Sequence, residues 1–344
     1  MTVFSKFVPS KSPAVIVRDH LPGTTIAFII AAAAHYISSQ LGGPVMLYAL
    51  LFGIPLNFLS EDDKCRPGIA LASTSILRIG VALLGLQITW MEVVSLGIST
   101  ILLVVSGVAF TISAGVGIAR LLKLDRSFSF LSAGAVAICG ASAALAISSV
   151  LPSDNGNKKS LENNTLITVV GVTALSTIVM VLYPVLIEIV GLDHKTAGIF
   201  LGATIHDVAQ VIGAGYMVSQ ETGEVAAIVK LLRVACLVPT VMVIGLIFRN
   251  STPSTDGTVH RTPIIPLFLV GFIVSVAAHS MGLIPSAMLG FLADMSRWFL
   301  ITAVAALGMK TSLKKFFSLG LNPVLALVLQ TAFLAAFVLA ALTL

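Results

Sequence analysis

Leu77-Arg-Ile-Gly-Val-Ala-Leu-Leu-Gly85 lies over Leu300-Ile-Thr-Ala-Val-Ala-Ala-Leu-Gly308 when the sequence is shifted by 223 residues. The same shift carries Ser95-Leu-Gly97 onto Ser318-Leu-Gly320. Both longer stretches sit inside apolar runs of about 20 residues, the length that takes an α-helix across a bilayer. Eleven such runs are readable: 21–38, 42–59, 67–88, 93–119, 127–151, 163–190, 197–219, 224–248, 264–281, 285–308 and 320–343. The shift relates 42–119 to 264–343, and copies seven spans apart have opposite orientation. Inverted repeats of this kind mark secondary transporters, whose core helices are discontinuous. The predicted fold is all-α: a polytopic helical membrane protein of about 11 transmembrane helices, with inverted repeats and discontinuous core helices in 127–248. The whole chain, 1–344, reads as one membrane unit.

A weaker match lays Gly134-Ala135 over Gly202-Ala203 and Val179-Met-Val181 over Val241-Met-Val243. It relates spans 5–6 to spans 7–8, which an eleven-span threading makes parallel. Either the match is chance or one span is miscounted.

Composition points the same way. Of 344 residues, 57% are hydrophobic and 10% charged, against about 25% charged in soluble domains. That excludes a secreted disulfide scaffold and a soluble enzyme with a large polar surface. The net charge of +5 does not indicate nucleic-acid binding, because the basic residues are scattered through short loops. Three cysteines without a CxxC or a His/Cys cluster argue against structural zinc. No HExxH, GxSxG or Walker A motif is present, so neither an enzyme site nor a cofactor is expected.

Residues 1–20 lack an apolar core, so the first span reads as retained rather than as a cleaved signal. Threading eleven spans from an inner N-terminus places fourteen basic residues inside: Lys6, Lys11, Arg18, Lys64, Arg66, Arg120, Lys123, Arg126, Lys195, Arg249, Arg261, Lys310, Lys314 and Lys315. Only Lys158 and Lys159 fall outside. The bias predicts a cytoplasmic N-terminus and a C-terminus on the other side.

Span 5 contains Ala137-Ile-Cys-Gly-Ala-Ser-Ala143. Gly140 weakens the helix there, and Ser142 can satisfy backbone groups freed by a break. A tight packing face of small residues is the structural alternative. Span 7 places Thr204, His206, Asp207 and Gln210 in an apolar run. A carboxylate at that depth costs at least ~2.5 kcal/mol on insertion scales and needs a partner or water. Polar groups spread around the helix suit a cavity; a structural Asp paired to another helix is the alternative. Span 8 carries Lys230 and Arg233 on one helix face, and span 3 carries Arg78. Should all three face the interior with Asp207, the surplus positive charge would favour an anion. Asp294 and Arg297 read as a local pair near a membrane face, and His35 and His279 as packing or interfacial residues.

Leu77-Arg-Ile-Gly-Val-Ala-Leu-Leu-Gly-Leu-Gln87, Ile138-Cys-Gly-Ala-Ser-Ala143 and His206-Asp-Val-Ala-Gln210 together resemble the bacterial sulfate exporter family. The resemblance runs from about residue 20 to the last span. That family is grouped with the cation:proton antiporter and bile-acid:sodium symporter superfamily. It implies two inverted repeats, a panel domain, a core of crossed broken helices and a location in the bacterial inner membrane.

The expected function is secondary transport of a small anion, sulfate or sulfonate-like, outward and coupled to H⁺ or Na⁺. Arg78, Cys139, Gly140, Ser142, Lys230 and Arg233 are the expected substrate residues; His206, Asp207, Thr204 and Gln210 are the expected coupling residues. The alternatives are a cation/proton antiporter, a Na⁺-coupled uptake carrier for organic anions, an ion channel and a structural membrane protein. Expected partners are the anion, the coupling ion and the lipid bilayer, with a homodimer as the candidate assembly.

Overall fold

The computed structural model describes residues 13–152, 158–248, 267–312, 316 and 318–343. Most of the expected N-terminal segment 1–20, most of the loops after Pro152 and Arg249, and the start of the 264–281 stretch lie outside them. The described residues fold into helices and turns. In chain order these are α1 (Pro13–Leu41), α2 (Val45–Gly53, continued by a 3₁₀ turn, Ile54–Ser60), α3 (Arg66–Leu71), α4 (Leu77–Leu84), α5 (Trp90–Ser95), α6 (Gly97–Leu121), α7 (Arg126–Ala137), α8 (Ala141–Ser148), α9 (Lys158–Val190), α10 (His194–Thr204), α11 (Val208–Val218), α12 (Gln220–Ala235), α13 (Leu237–Phe248), α14 (Leu267–Ser280), α15 (Ser286–Lys310) and α16 (Leu321–Thr343). A π-helical segment, Ala72–Ile76, joins α3 to α4.

Among the described residues, seven helices are long and apolar enough to cross a membrane: 18–41, 66–87, 97–121, 160–190, 220–248, 287–310 and 321–343. Their outer faces are apolar as well, as along α6, where Ile98, Leu102 and Val105 are exposed. Close crossings use small residues, which let backbones approach. A Cβ on Gly68 would lie 2.1 Å from the His20 carbonyl oxygen, so α3 lies against α1 there.

Two of the eleven expected spans are instead re-entrant hairpins. In the first, α7 descends from its N-cap, Asp125, whose Oδ1 accepts from Phe128 N at 2.6 Å. The chain reverses at Ile138–Gly140, and α8 runs back alongside: a Cβ on Gly134 would lie 2.1 Å from Ile147 Cδ1. Asn164 Nδ2 then donates to Asp125 Oδ2 at 2.7 Å, so α9 starts at the end where the hairpin began.

The second hairpin repeats the design from the other end. Asp193 caps α10, accepting from Thr196 N at 3.0 Å, and these hydrogen bonds from Thr196 hold its carboxyl below the usual carboxylate range. Gly198 and Gly202 face Val225 and Val229 of α12, whereas Gly215 of α11 faces Gly223. Hence α10 runs parallel to α12 and α11 antiparallel to it. Thr222 Oγ1 donates to the His194 carbonyl at 3.0 Å and closes the base.

The stretches 127–151 and 197–219 therefore do not read as crossings. Nine of the eleven expected spans remain, seven of them long and apolar enough among the described residues and two, 42–59 and 264–281, holding shorter apolar helices. This also resolves the weaker repeat. The segments 126–190 and 194–248 are each a hairpin followed by a crossing helix, and their orientations are opposite. The end of the bundle carrying Arg66, Arg120, Lys123 and Arg126 is called the basic end below; the far end carries Gly42–Pro44, Gly191–Asp193 and Ser219. With two hairpins, α9 starts at the basic end with Lys158 and Lys195 moves to the far end, correcting both placements in the eleven-span threading.

A labelling experiment checks this topology. In a background with the three native cysteines replaced by alanine, an impermeant maleimide should modify Arg120→Cys and Glu162→Cys from one side of the membrane. His194→Cys should react from the other. Labelling of Glu162→Cys and Arg120→Cys from opposite sides would restore the eleven-span threading.

Candidate functional site

The hairpin tips, Ile138–Gly140 and Ile205–Asp207, meet inside the bundle, and α12 holds them. A helix ends with carbonyls that have no intrahelical donor, and in the membrane interior each must find one. Lys230 Nζ donates to the carbonyls of Ile138 at 2.6 Å, Ile205 at 2.9 Å and His206. Arg233 donates from Nε to Ala137 O at 2.6 Å, from Nη1 to Ile205 O at 2.9 Å, and from Nη2 to Val136 O. Both side chains are buried, at 0% and 1% exposure. An ammonium has three donors, so Lys230 has none left for a ligand. The i, i+3 spacing did put the two cations on one face; that face serves the backbone.

A cavity of about 330 Å³ lies on the basic side of the tips. It brings together four of the expected site residues: Arg78 from α4, Cys139 and Ser142 from the first tip, and Asp207 from the second. Ser73 and Thr74 of the π-helical segment and Phe268 of α14 complete the walls that matter here. Gly140 forms the reversal with φ +63°, a conformation side chains rarely adopt, and no side chain caps α8 behind it. The first amides of α8 and the dipole of that helix therefore bear on the cavity, the arrangement that favours an anion. Ser142 Oγ lies 2.8 Å from Cys139 Sγ and 3.1 Å from the Cys139 carbonyl, which ties the tip to the first turn of α8.

Arg78 is exposed to this cavity although it lies mid-helix, and no hydrogen bond or ion pair engages it among the described residues. Asp207 caps α11, its Oδ1 accepting from Ala209 N at 3.4 Å, while its own N–H donates to Ser176 Oγ at 3.2 Å. The remaining polar residues of the second tip face away from the cavity and are fully buried. Thr204 Oγ1 returns to the Phe200 carbonyl at 2.6 Å, His206 Nε2 meets Thr331 Oγ1 at 2.9 Å, and Gln210 Nε2 donates to Thr177 Oγ1 at 3.3 Å. Thus the structure joins Asp207 to the cavity and separates it from Thr204, His206 and Gln210.

Other expectations also change. Arg297 does not pair with Asp294; its Nη2 reaches Gln220 Oε1 at 3.5 Å. His279, 3.3 Å from the Ile88 carbonyl, and His35, packed on Trp298 with ring centroids 5.1 Å apart, instead take the packing places expected of them. Ser176 and Thr331, which hold the second tip from α9 and α16, were not anticipated. Among the described residues no group of His, Cys, Asp and Glu could hold a metal ion.

Two opposed re-entrant hairpins, with a cavity at their tips whose mostly apolar wall carries a few polar and charged side chains, define a polytopic membrane protein. The chain belongs to the family described as Conserved hypothetical protein 698, which it matches over residues 22–327. It is similar to UPF0324 membrane protein CT0845 of Chlorobaculum tepidum, at 47% identity over 93% of this chain and 88% of that one. The UPF0324 membrane protein TauZ of Paracoccus denitrificans is 42% identical over 98% of both chains. These descriptions name a membrane protein and no substrate. No solved structure matches.

Proposed function

We propose that this protein is a secondary active transporter of a small oxyanion, sulfate or sulfonate-like, and not an enzyme. The observation that carries the reading is the unpartnered guanidinium of Arg78 in a cavity shared with the uncapped start of α8. Charge interactions are stronger in a low-dielectric interior than in water, so an anion there would be held against Arg78. Cys139 and Ser142 supply neutral contacts, and Lys230 and Arg233 contribute by fixing the tips. Asp207 is the group that exchanges a coupling H⁺ or Na⁺.

With the hairpins in place, the described residues Arg18, Lys64, Arg66, Arg120, Lys123, Arg126 and Lys310 and the start of α9 at Lys158 fall on the basic side, against Lys195 and Arg297 toward the other. This bias supports an inner-membrane protein with its N-terminus in the cytoplasm. The cavity then faces the cytoplasmic half, as a site loaded for export would.

Uptake of radiolabelled sulfate into proteoliposomes tests the reading. A pH or Na⁺ gradient should drive saturable flux in the parent. Asp207→Asn should lose the gradient dependence while remaining folded and monodisperse. Parent-like flux with an unchanged pH profile in Asp207→Asn would remove Asp207 from coupling. Competition by cations, with none by sulfate, would favour a cation/proton antiporter.

A further inference from the structure

A second cavity, of about 240 Å³, opens at the far end between α1, α2, α12 and α15. Its lining includes His35, Gln87, Tyr216, Gln220 and Arg297, and among the described residues Arg297 is the one permanently charged side chain in it. The 223-residue shift relates this cavity to the first. Ser73, Thr74 and Leu77 line the tip cavity, and their counterparts Ser296, Arg297 and Leu300 line the far one. Phe268 of the tip cavity likewise falls on Val45 of the far cavity. Four pairs of corresponding positions thus wall two cavities at different depths, as an inverted repeat requires. The arginines differ by one helical turn: Arg297 stands at the position of Thr74, four residues from Arg78 and on the same helix face.

Arg297 is weakly held. Its one hydrogen bond among the described residues is the 3.5 Å contact to a neutral amide, and that distance is at the limit of a bond. Gln220 in turn spends its Nε2 on Glu224 Oε1 at 2.6 Å and Gln87 Oε1 at 3.3 Å, which orients Oε1 toward Arg297. Glu224 itself lines the neighbouring pocket with Glu92 and Glu221, not this one. The guanidinium therefore keeps most of its five donors for a ligand.

We infer that the far cavity is a second anion station, centred on Arg297, that receives the same small oxyanion as the Arg78 site on the opposite side of the tips. The inference rests on the anion-transport reading. Trp298, beside Arg297 and packed on His35, provides the probe, since the chain has only two tryptophans. In purified full-length Trp90→Phe protein, inorganic sulfate should change Trp298 emission saturably. Arg297→Gln should raise the apparent Kd at least tenfold, Arg297→Lys should raise it less, and Arg78→Ala should leave the signal in place. A titration unaffected by Arg297→Gln, or abolished by Arg78→Ala alone, overturns the second station. Thermal shift by sulfate separates the two levels. If Trp298 is silent while sulfate still shifts Tm in an Arg78-dependent way, the far station fails and the transport reading stands. If neither responds in the parent, both fail.

Discussion

Arg78→Ala should weaken sulfate binding at the tip cavity by about 10- to 100-fold and reduce transport to background. The estimate takes the charge-assisted hydrogen bonds of one guanidinium at ~1.5–3 kcal/mol, with tenfold for each ~1.4 kcal/mol. Arg78 is exposed to the cavity and engages no partner, so its removal leaves no buried group stranded and the variant should fold. Arg78→Lys should bind with intermediate affinity, because an ammonium keeps the charge but loses the planar fork that matches an oxyanion. Calorimetric titration with sulfate measures both. Parent-like binding in Arg78→Ala would remove the residue from the site.

The opposite pattern is expected at Lys230. Lys230→Met is close in length but donates nothing, and it leaves the three carbonyls served by Nζ, those of Ile138, Ile205 and His206, short of a donor. Arg233 still reaches Ile205, so two carbonyls are orphaned outright. At ~1–3 kcal/mol for each unsatisfied buried group, the loss is ~2–6 kcal/mol, a large share of a typical stability. The variant should show a lowered unfolding midpoint in detergent and poor yield, with or without sulfate. A stable Lys230→Met protein that merely failed to bind sulfate would instead return Lys230 to the substrate site.

These two residues show where sequence reading succeeds and where it stops. The apolar runs reported the seven described helices long enough to cross, because hydrocarbon demands continuous apolar helices. They could not report direction. A hairpin of two half-helices and one crossing helix have nearly the same length and composition, and the reversal at Gly140 is carried by a single residue's φ. A signal was nonetheless present: Leu124-Asp125 lies over Leu192-Asp193 at the 68-residue shift that also carries Gly134-Ala135 onto Gly202-Ala203. Both aspartates are N-caps. A repeated cap ahead of a repeated break marks two equivalent insertions, and that pattern distinguishes a hairpin pair from two spans.

The site was legible in part for a related reason. Residue type singled out Arg78 and Asp207, which the fold brings to one cavity, because an ionisable side chain inside a membrane needs an explanation. It could not separate Arg78 from Lys230 and Arg233, which differ only in what stands opposite them. Carbonyl groups released by a chain break leave no trace in composition. Likewise, Thr204, His206, Asp207 and Gln210 are neighbours in sequence, yet the second tip turns one of them to the cavity and buries the other three against α9, α16 and their own helix.

Under the transport reading, the shared grip of Lys230 on both tips would decide which parts move together. Drawing the hairpins apart would strip donors from Ile138 or Ile205 and His206, so the cheapest displacement carries both tips together with α12 as one rigid piece. Arg78 belongs to a different piece, the α3–α4 wall that packs on α15: Ser296 Oγ donates to the Gly80 carbonyl at 2.8 Å across that contact. The cavity therefore lies between the two pieces, with Cys139, Ser142 and Asp207 on one and Arg78 on the other; under the transport reading that boundary would slide. A bound anion would act as a clutch between the two pieces, and the energy released on binding would be set directly against the stroke.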